Sequence, residues 1–229
     1  MMKNPRYNIY TLIHKGLRAS LCQHLVELGR LDDTDTDAVT QQLNACEHLL
    51  QFCLDHLAHE NQFIHAAINV LHKTPLQTES DHVQHEREIA TLREDIALIK
   101  KLPALRRRHA LLKFYADFSL FVADNFMYMN QEETYNAELL WEHFSDAQIH
   151  DIHQRLVTSL TPEENLQSMM IMLPNITHSE RVEVLSSVAE AAPEGVVTML
   201  VTMLRPLMNE REWKKLNQAL VETELLAEA

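Results

Sequence analysis

Glycine is nearly missing from this chain: 3 in 229 residues, where average usage of about 7% would give roughly 16. Gly16, Gly29 and Gly195 are too scattered for a dinucleotide fingerprint, a P-loop or a nucleophile elbow. With so few positions that take positive φ cheaply, a turn-dense β fold is also excluded. Basic charge is short as well: 20 Lys and Arg against 33 Asp and Glu give a formal charge of −13. Nucleic-acid binding needs clustered cations. The one dense basic patch, Lys100, Lys101, Arg106, Arg107 and Arg108, brackets Pro103 and reads as a solvated turn. Long apolar runs are lacking too. The best, Val196 to Leu204, is interrupted by Thr198 and Thr202 and falls short of the roughly 20 residues of a membrane span. No apolar stretch of signal-peptide type follows the N-terminal residues. The 3 cysteines, Cys22, Cys46 and Cys53, form no C-x-x-C pair and are odd in number, which suits reduced thiols. The expectation is a soluble cytoplasmic protein that binds neither nucleic acid nor membrane.

What remains is helical periodicity. A first helix is predicted from about Tyr7 to Gly29, with Leu17, Leu21, Leu25 and Leu28 inward. A second runs from about Asp37 to His72, with Leu49, Cys53, Phe63 and Ala67 inward, and Thr74-Pro75 ends it. Ile89, Leu92, Ile96 and Ile99 face inward on a third, Glu79 to Lys101, closed by Pro103. The fourth, Leu105 to Trp141, carries Leu111, Phe114, Phe118, Phe121 and Val122. Short connections between long helices predict an up-down-up-down four-helix bundle over 1–144. Beyond it the rhythm shortens. Ser145/Gln148, Thr161/Glu164 and Thr177/Glu180 are spaced as capping boxes, and Asn209 with Glu212 is a further start signal. Residues 145–229 therefore read as a smaller region of four or five short helices. The whole chain is expected to be all-α.

Fourteen histidines stand against this background. Two H-x-x-x-E pairs occur, His56/Glu60 and His82/Glu86, and chance alone supplies roughly one. Helical phase separates them. His56 and Glu60 are in register with Leu49, Cys53, Phe63 and Ala67, so they point into the bundle. A buried Glu needs a partner or a metal. Glu86 falls off the inward stripe, whereas His85 shares it with Ile89, Leu92 and Ile96. His14 is in phase with Leu17 and Leu21. Continuing the Phe118, Phe121 stripe gives Asn125, Tyr128 and Glu132. Every helix of the bundle thus contributes an inward polar group, with two carboxylates from different helices. Such a set suits a dinuclear iron site. The Glu-x-x-His design is disfavoured, since Glu79/His82 is its single instance, and no H-E-x-x-H is present.

Residues 1 to about 145 resemble the hemerythrin-like, HHE cation-binding family. The likeness lies in Ile9-Tyr-Thr-Leu-Ile-His14, Leu54-Asp-His56-Leu-Ala-His-Glu60, Phe126-Met-Tyr128-Met-Asn-Gln-Glu132-Glu133 and Phe144-Ser-Asp. Met172-Leu-Pro174 and Glu180-Arg181 resemble, less specifically, the helical extension of bacterial members. The resemblance implies two non-heme iron ions, with His14 and His56 serving one, His85 and Tyr128 the other, and Glu60 and Glu132 bridging. It also implies a small diatomic or peroxide ligand. Tyr128 stands where the family usually has His. A phenolate favours ferric iron, which points away from simple O2 carriage and toward a sensor or enzyme handling O2, peroxide or nitric oxide. His82, one turn from His85, is the alternative fourth nitrogen. The remaining histidines, His24, His48, His59, His65, His72, His109 and His143, are expected at the surface or behind the ligands. The rival reading is a helical interaction module whose metal site has decayed. Under either, the C-terminal helices are available to a partner or a second copy.

Overall fold

The computed structural model describes residues 6–71, 78–223 and 225, with the side chains of 78–82 left aside. Thr74-Pro75 and the side chains of His72 and His82 therefore lie outside the described residues. Those described are helical, with no strand among them. By its internal contacts the chain divides into two units. One comprises 1–11 and 18–159, the other 12–17 and 160–229.

Helix α1 spans Thr11–Gly29, starting later than the periodicity suggests. The Asn8 side chain accepts the Tyr10 N–H at 3.1 Å and donates to the Glu133 carbonyl at 2.9 Å. An Asx turn of this kind competes with helix formation and holds the preceding chain extended. Helix α2 spans Thr36–His59, capped by Asp35, whose carboxylate accepts from the N–H groups of Asp37 and Ala38. It passes into a π-helical turn, Glu60–His65, and then α3, Ala66–Asn69. Helix α4 is Thr78–Lys101 and α5 is Ala104–Gln131. A second π-turn, Glu132–Asn136, leads into α6, Ala137–His143. The second and fourth predicted helices are thus each broken by a wide turn, and both wide turns begin at a glutamate.

Most of the expected inward residues are buried, among them Leu17, Leu21, Leu49, Cys53, Ile89, Leu92, Ile96, Ile99, Phe114, Phe118 and Phe121. Packing joins α4 to both α2 and α5. Within and just after the first wide turn, however, Phe63 and Ala67 are half-buried, and Ile64, His65 and Ile68 are the buried residues. A π-turn holds one residue more than an α-turn and so rotates everything after it by about 100°. Ile64 and Ile68 join Ile9, Tyr10, Ala137, Leu140, Ile149 and Ile152 in one apolar cluster. The basic patch also differs from expectation. Arg107 is buried, reaching the Thr36 hydroxyl and the Leu102 carbonyl at 3.4 Å each, while Arg106 and Arg108 remain exposed.

The later helices are α7 (Asp146–Ser159), α8 (Pro162–Met172), α9 (His178–Ala191), α10 (Val196–Leu204) and α11 (Glu210–Glu222). Their start signals behave as the sequence indicates. Thr161/Glu164 and Thr177/Glu180 form reciprocal capping boxes. Ser145 pairs with Gln148, and Asn209 accepts from the Glu212 N–H. In the second unit Leu173, Leu185, Leu200, Leu204, Leu216 and Leu220 form the core. Met172 and Met208 belong to it, whereas Met199 and Met203 are exposed. Buried Arg181 donates to the carbonyls of Leu173 at 2.7 Å and Ile176 at 2.9 Å, tying down the end of α8. Gly16 permits close approach, since a Cβ there would lie 2.8 Å from the Ile171 carbonyl oxygen.

Candidate metal centre

Among the described residues, Glu60 and Glu132 are the buried carboxylates. Their exposures are 1% and 0%, and carboxylates are almost never this deeply buried without a partner. Glu60 Oε1 lies 3.1 Å from His56 Nε2, one helical turn back. His14, His56 and Glu60 each offer a ligand atom, and these atoms all lie within 4.8 Å of one another. His14 is fully buried and His56 partly so. Two imidazoles and one carboxylate are the donor set of non-heme ferrous sites, and the spacing leaves room for an ion at their centre.

Glu132 has a different neighbour. Its Oε1 lies 3.6 Å from Nε2 of His65, a buried residue carried inward by the first π-turn. His65 Nδ1 is 3.1 Å from the Asn61 Oδ1. Sequence periodicity did not single this histidine out, because the phase it followed ran through Phe63 and Ala67. The spacing Glu60-x-x-x-x-His65, five residues instead of four, was the available signal.

Tyr10 was also missed. It is almost completely buried, and its phenol is held well above its ordinary pKa, first by burial and then by the charges of Glu132 and Glu60, with a hydrogen bond to Asn136 acting the other way. A protonated phenol therefore lies within the field of both carboxylates. Asn136, its partner, closes the second π-turn. Next to Glu132, Glu133 forms a bidentate pair with Arg18 at 2.6 and 3.1 Å.

His85 and Tyr128 form a grouping of their own. Both are buried, with rings 5.1 Å apart and edge-to-face, and the Phe121 ring meets His85 edge-on at 6.1 Å. A small pocket lined by Gln84, His85, Glu88, Asp124, Tyr128 and Gln131 reaches them. Glu86 is exposed and Asn125 half-buried, its amide donating to the Phe121 carbonyl. His48, His109 and His143 are exposed. Burial pushes the Cys46 and Cys53 thiols up to about 12, so both are inert core residues.

Comparison with protein-family models, with curated proteins and with solved structures gives no match to this chain.

Proposed function

We propose that this chain is a cytoplasmic hemerythrin-like protein with a non-heme di-iron centre that senses or reacts with O2, peroxide or nitric oxide. In this reading residues 1–144 form an up-down-up-down four-helix bundle around the centre, and 145–229 form a helical extension open to a partner or a second copy. The buried group of His14, His56 and Glu60, whose ligand atoms lie within 4.8 Å of one another, carries the proposal. Simple hydrogen bonding would account for one imidazole against one carboxylate. Two imidazoles converging on a single buried carboxylate match a cation far better. His14 and His56 would hold one ion and His85 with Tyr128 the other, while Glu60 and Glu132 would neutralise both. Bound iron would supply the one-electron chemistry that O2, peroxide or nitric oxide requires.

The chain's own groups set the surroundings. The Tyr10 phenol keeps its proton at neutral pH, within reach of the charges of both carboxylates. Asn136 fixes the phenol's direction. The aliphatic cluster of Ile64, Ile68, Ala137 and Leu140 limits water around it.

Anaerobic reconstitution with ferrous iron tests the reading. Two ions per chain are expected, with a phenolate-to-iron charge-transfer band after exposure to air. Tyr128→Phe should abolish the band. A protein that takes up no iron would sink the proposal, whereas a band that survives in Tyr128→Phe would remove only Tyr128 from the ligand set.

A further inference from the structure

We infer that His65 is a metal donor on the Glu132 side of the centre, a role no inward α-helical stripe assigns to it. The inference rests on the metal-binding reading above and adds a ligand to it. Three observations converge. His65 is 2% exposed, so its ring is committed to the interior. The π-turn that starts at Glu60 ends at His65, and its five-residue stagger brings the ring to the side of the helix where Glu60 lies. The ring is also held at both nitrogens. Nδ1 is 3.1 Å from Asn61 Oδ1, and Nε2 is 3.6 Å from Glu132 Oε1.

The two distances differ in kind. The first is a hydrogen bond in which Nδ1–H donates to the amide oxygen. The second is too long for one. With Nδ1 turned to Asn61, Nε2 is the ring nitrogen that faces the carboxylate. A separation of 3.6 Å suits a cation bound by both atoms, at bond lengths of about 2 Å each. A ring N–H given to a carbonyl-type acceptor, with the other nitrogen aimed at the ion, is the usual arrangement of a metal-bound histidine. Asn61 is then the residue that orients His65. The wide turn is the device that delivers it, in keeping with the frequency of π-turns at functional sites.

The test combines two variants of the full chain with two probe ions. In anaerobic titrations with ferrous iron, His65→Ala is expected to bind one equivalent at least roughly tenfold more weakly than the unaltered protein. His24→Ala, whose ring bonds the Ser20 carbonyl, should bind like the unaltered protein. With cobalt(II), His65→Cys should show a near-ultraviolet thiolate-to-cobalt band that the unaltered protein lacks, a signature that a packing role could not produce. Unchanged stoichiometry and affinity in His65→Ala would overturn the inference. So would weakened binding in His65→Ala with no thiolate band in His65→Cys, which would assign His65 to packing. If the unaltered protein binds neither ion, the metal-binding reading itself fails, and this inference with it.

Discussion

A carboxylate with no exposed surface is expensive to keep unless something the fold needs depends on it. Glu132 is such a residue, at 0% exposure, among Tyr10, His65 and Asn136. Replacing it by the near-isosteric, uncharged Gln removes the desolvation penalty of the anion without opening a cavity. Glu132→Gln should therefore make the metal-free protein more stable, by about 1 kcal/mol, while lowering its uptake of iron. Thermal unfolding with and without ferrous iron measures both effects. A variant less stable without metal would indicate that Glu132 serves structure alone. The opposite directions are the mark of a residue retained for binding at the expense of stability. Tyr10 belongs to the same group: its burial places a hydrogen-bond donor where the negative charge is concentrated.

At the scale of elements, two glycines on α1 separate close approach from ordinary packing. At Gly16 an added Cβ meets the backbone oxygen of Ile171 at 2.8 Å and its Cγ2 at 2.9 Å, and backbone cannot step aside cheaply. Gly16→Ala should destabilise the protein by roughly 1–3 kcal/mol in chemical denaturation. At Gly29 the nearest atom is Cε2 of the Tyr115 ring at 3.2 Å, and a partly exposed ring can shift. Gly29→Ala should be close to neutral, since the gain in helix propensity of up to about 1 kcal/mol offsets the contact. Helix positions, caps and most core residues were legible in the sequence because period and capping chemistry are local. Ile89, Ile96, Phe114 and Phe118, and the boxes at Thr161 and Thr177, follow from spacing alone. So did the His14, His56 and Glu60 group, since no residue of it comes after the start of the first wide turn. His65 was passed over, because one extra residue after Glu60 rotated the helix, and its five-residue spacing from Glu60 becomes a signal only once that turn is known. Tyr10 was passed over for another reason: it continues the His14, Leu17, Leu21 stripe one turn back, where a tyrosine reads as an ordinary core residue.

For the molecule as a whole, stability should depend on pH through a group far in sequence from the carboxylates. His153 is pulled down to about 4, by burial first and by the neighbouring charge of His150 second. The Tyr7 hydroxyl lies 2.8 Å from His153 Nδ1, and the Tyr7 ring stacks on His150 at 3.8 Å. The folded protein holds His153 neutral, whereas the unfolded chain protonates it near 6.5. Between pH 6.5 and 4 the unfolded state therefore binds the extra proton, and stability falls as pH falls. His153→Gln should flatten that part of the profile, removing a loss of as much as ~3 kcal/mol between pH 7 and pH 4. Denaturant unfolding at several pH values checks it, and equal slopes in the two proteins would contradict the assignment.

The wide turns at Glu60 and Glu132 also bear on how this chain should be compared with others. Each amounts to a single inserted residue inside an otherwise continuous helix. A gap-free alignment with a relative lacking these insertions would match only the residues before Glu60 correctly. Those between the two turns would be displaced by one position, and those after the second by two. Placing a one-residue gap directly after each glutamate would restore the correspondence, so the informative feature of this chain lies in its counting as much as in its letters.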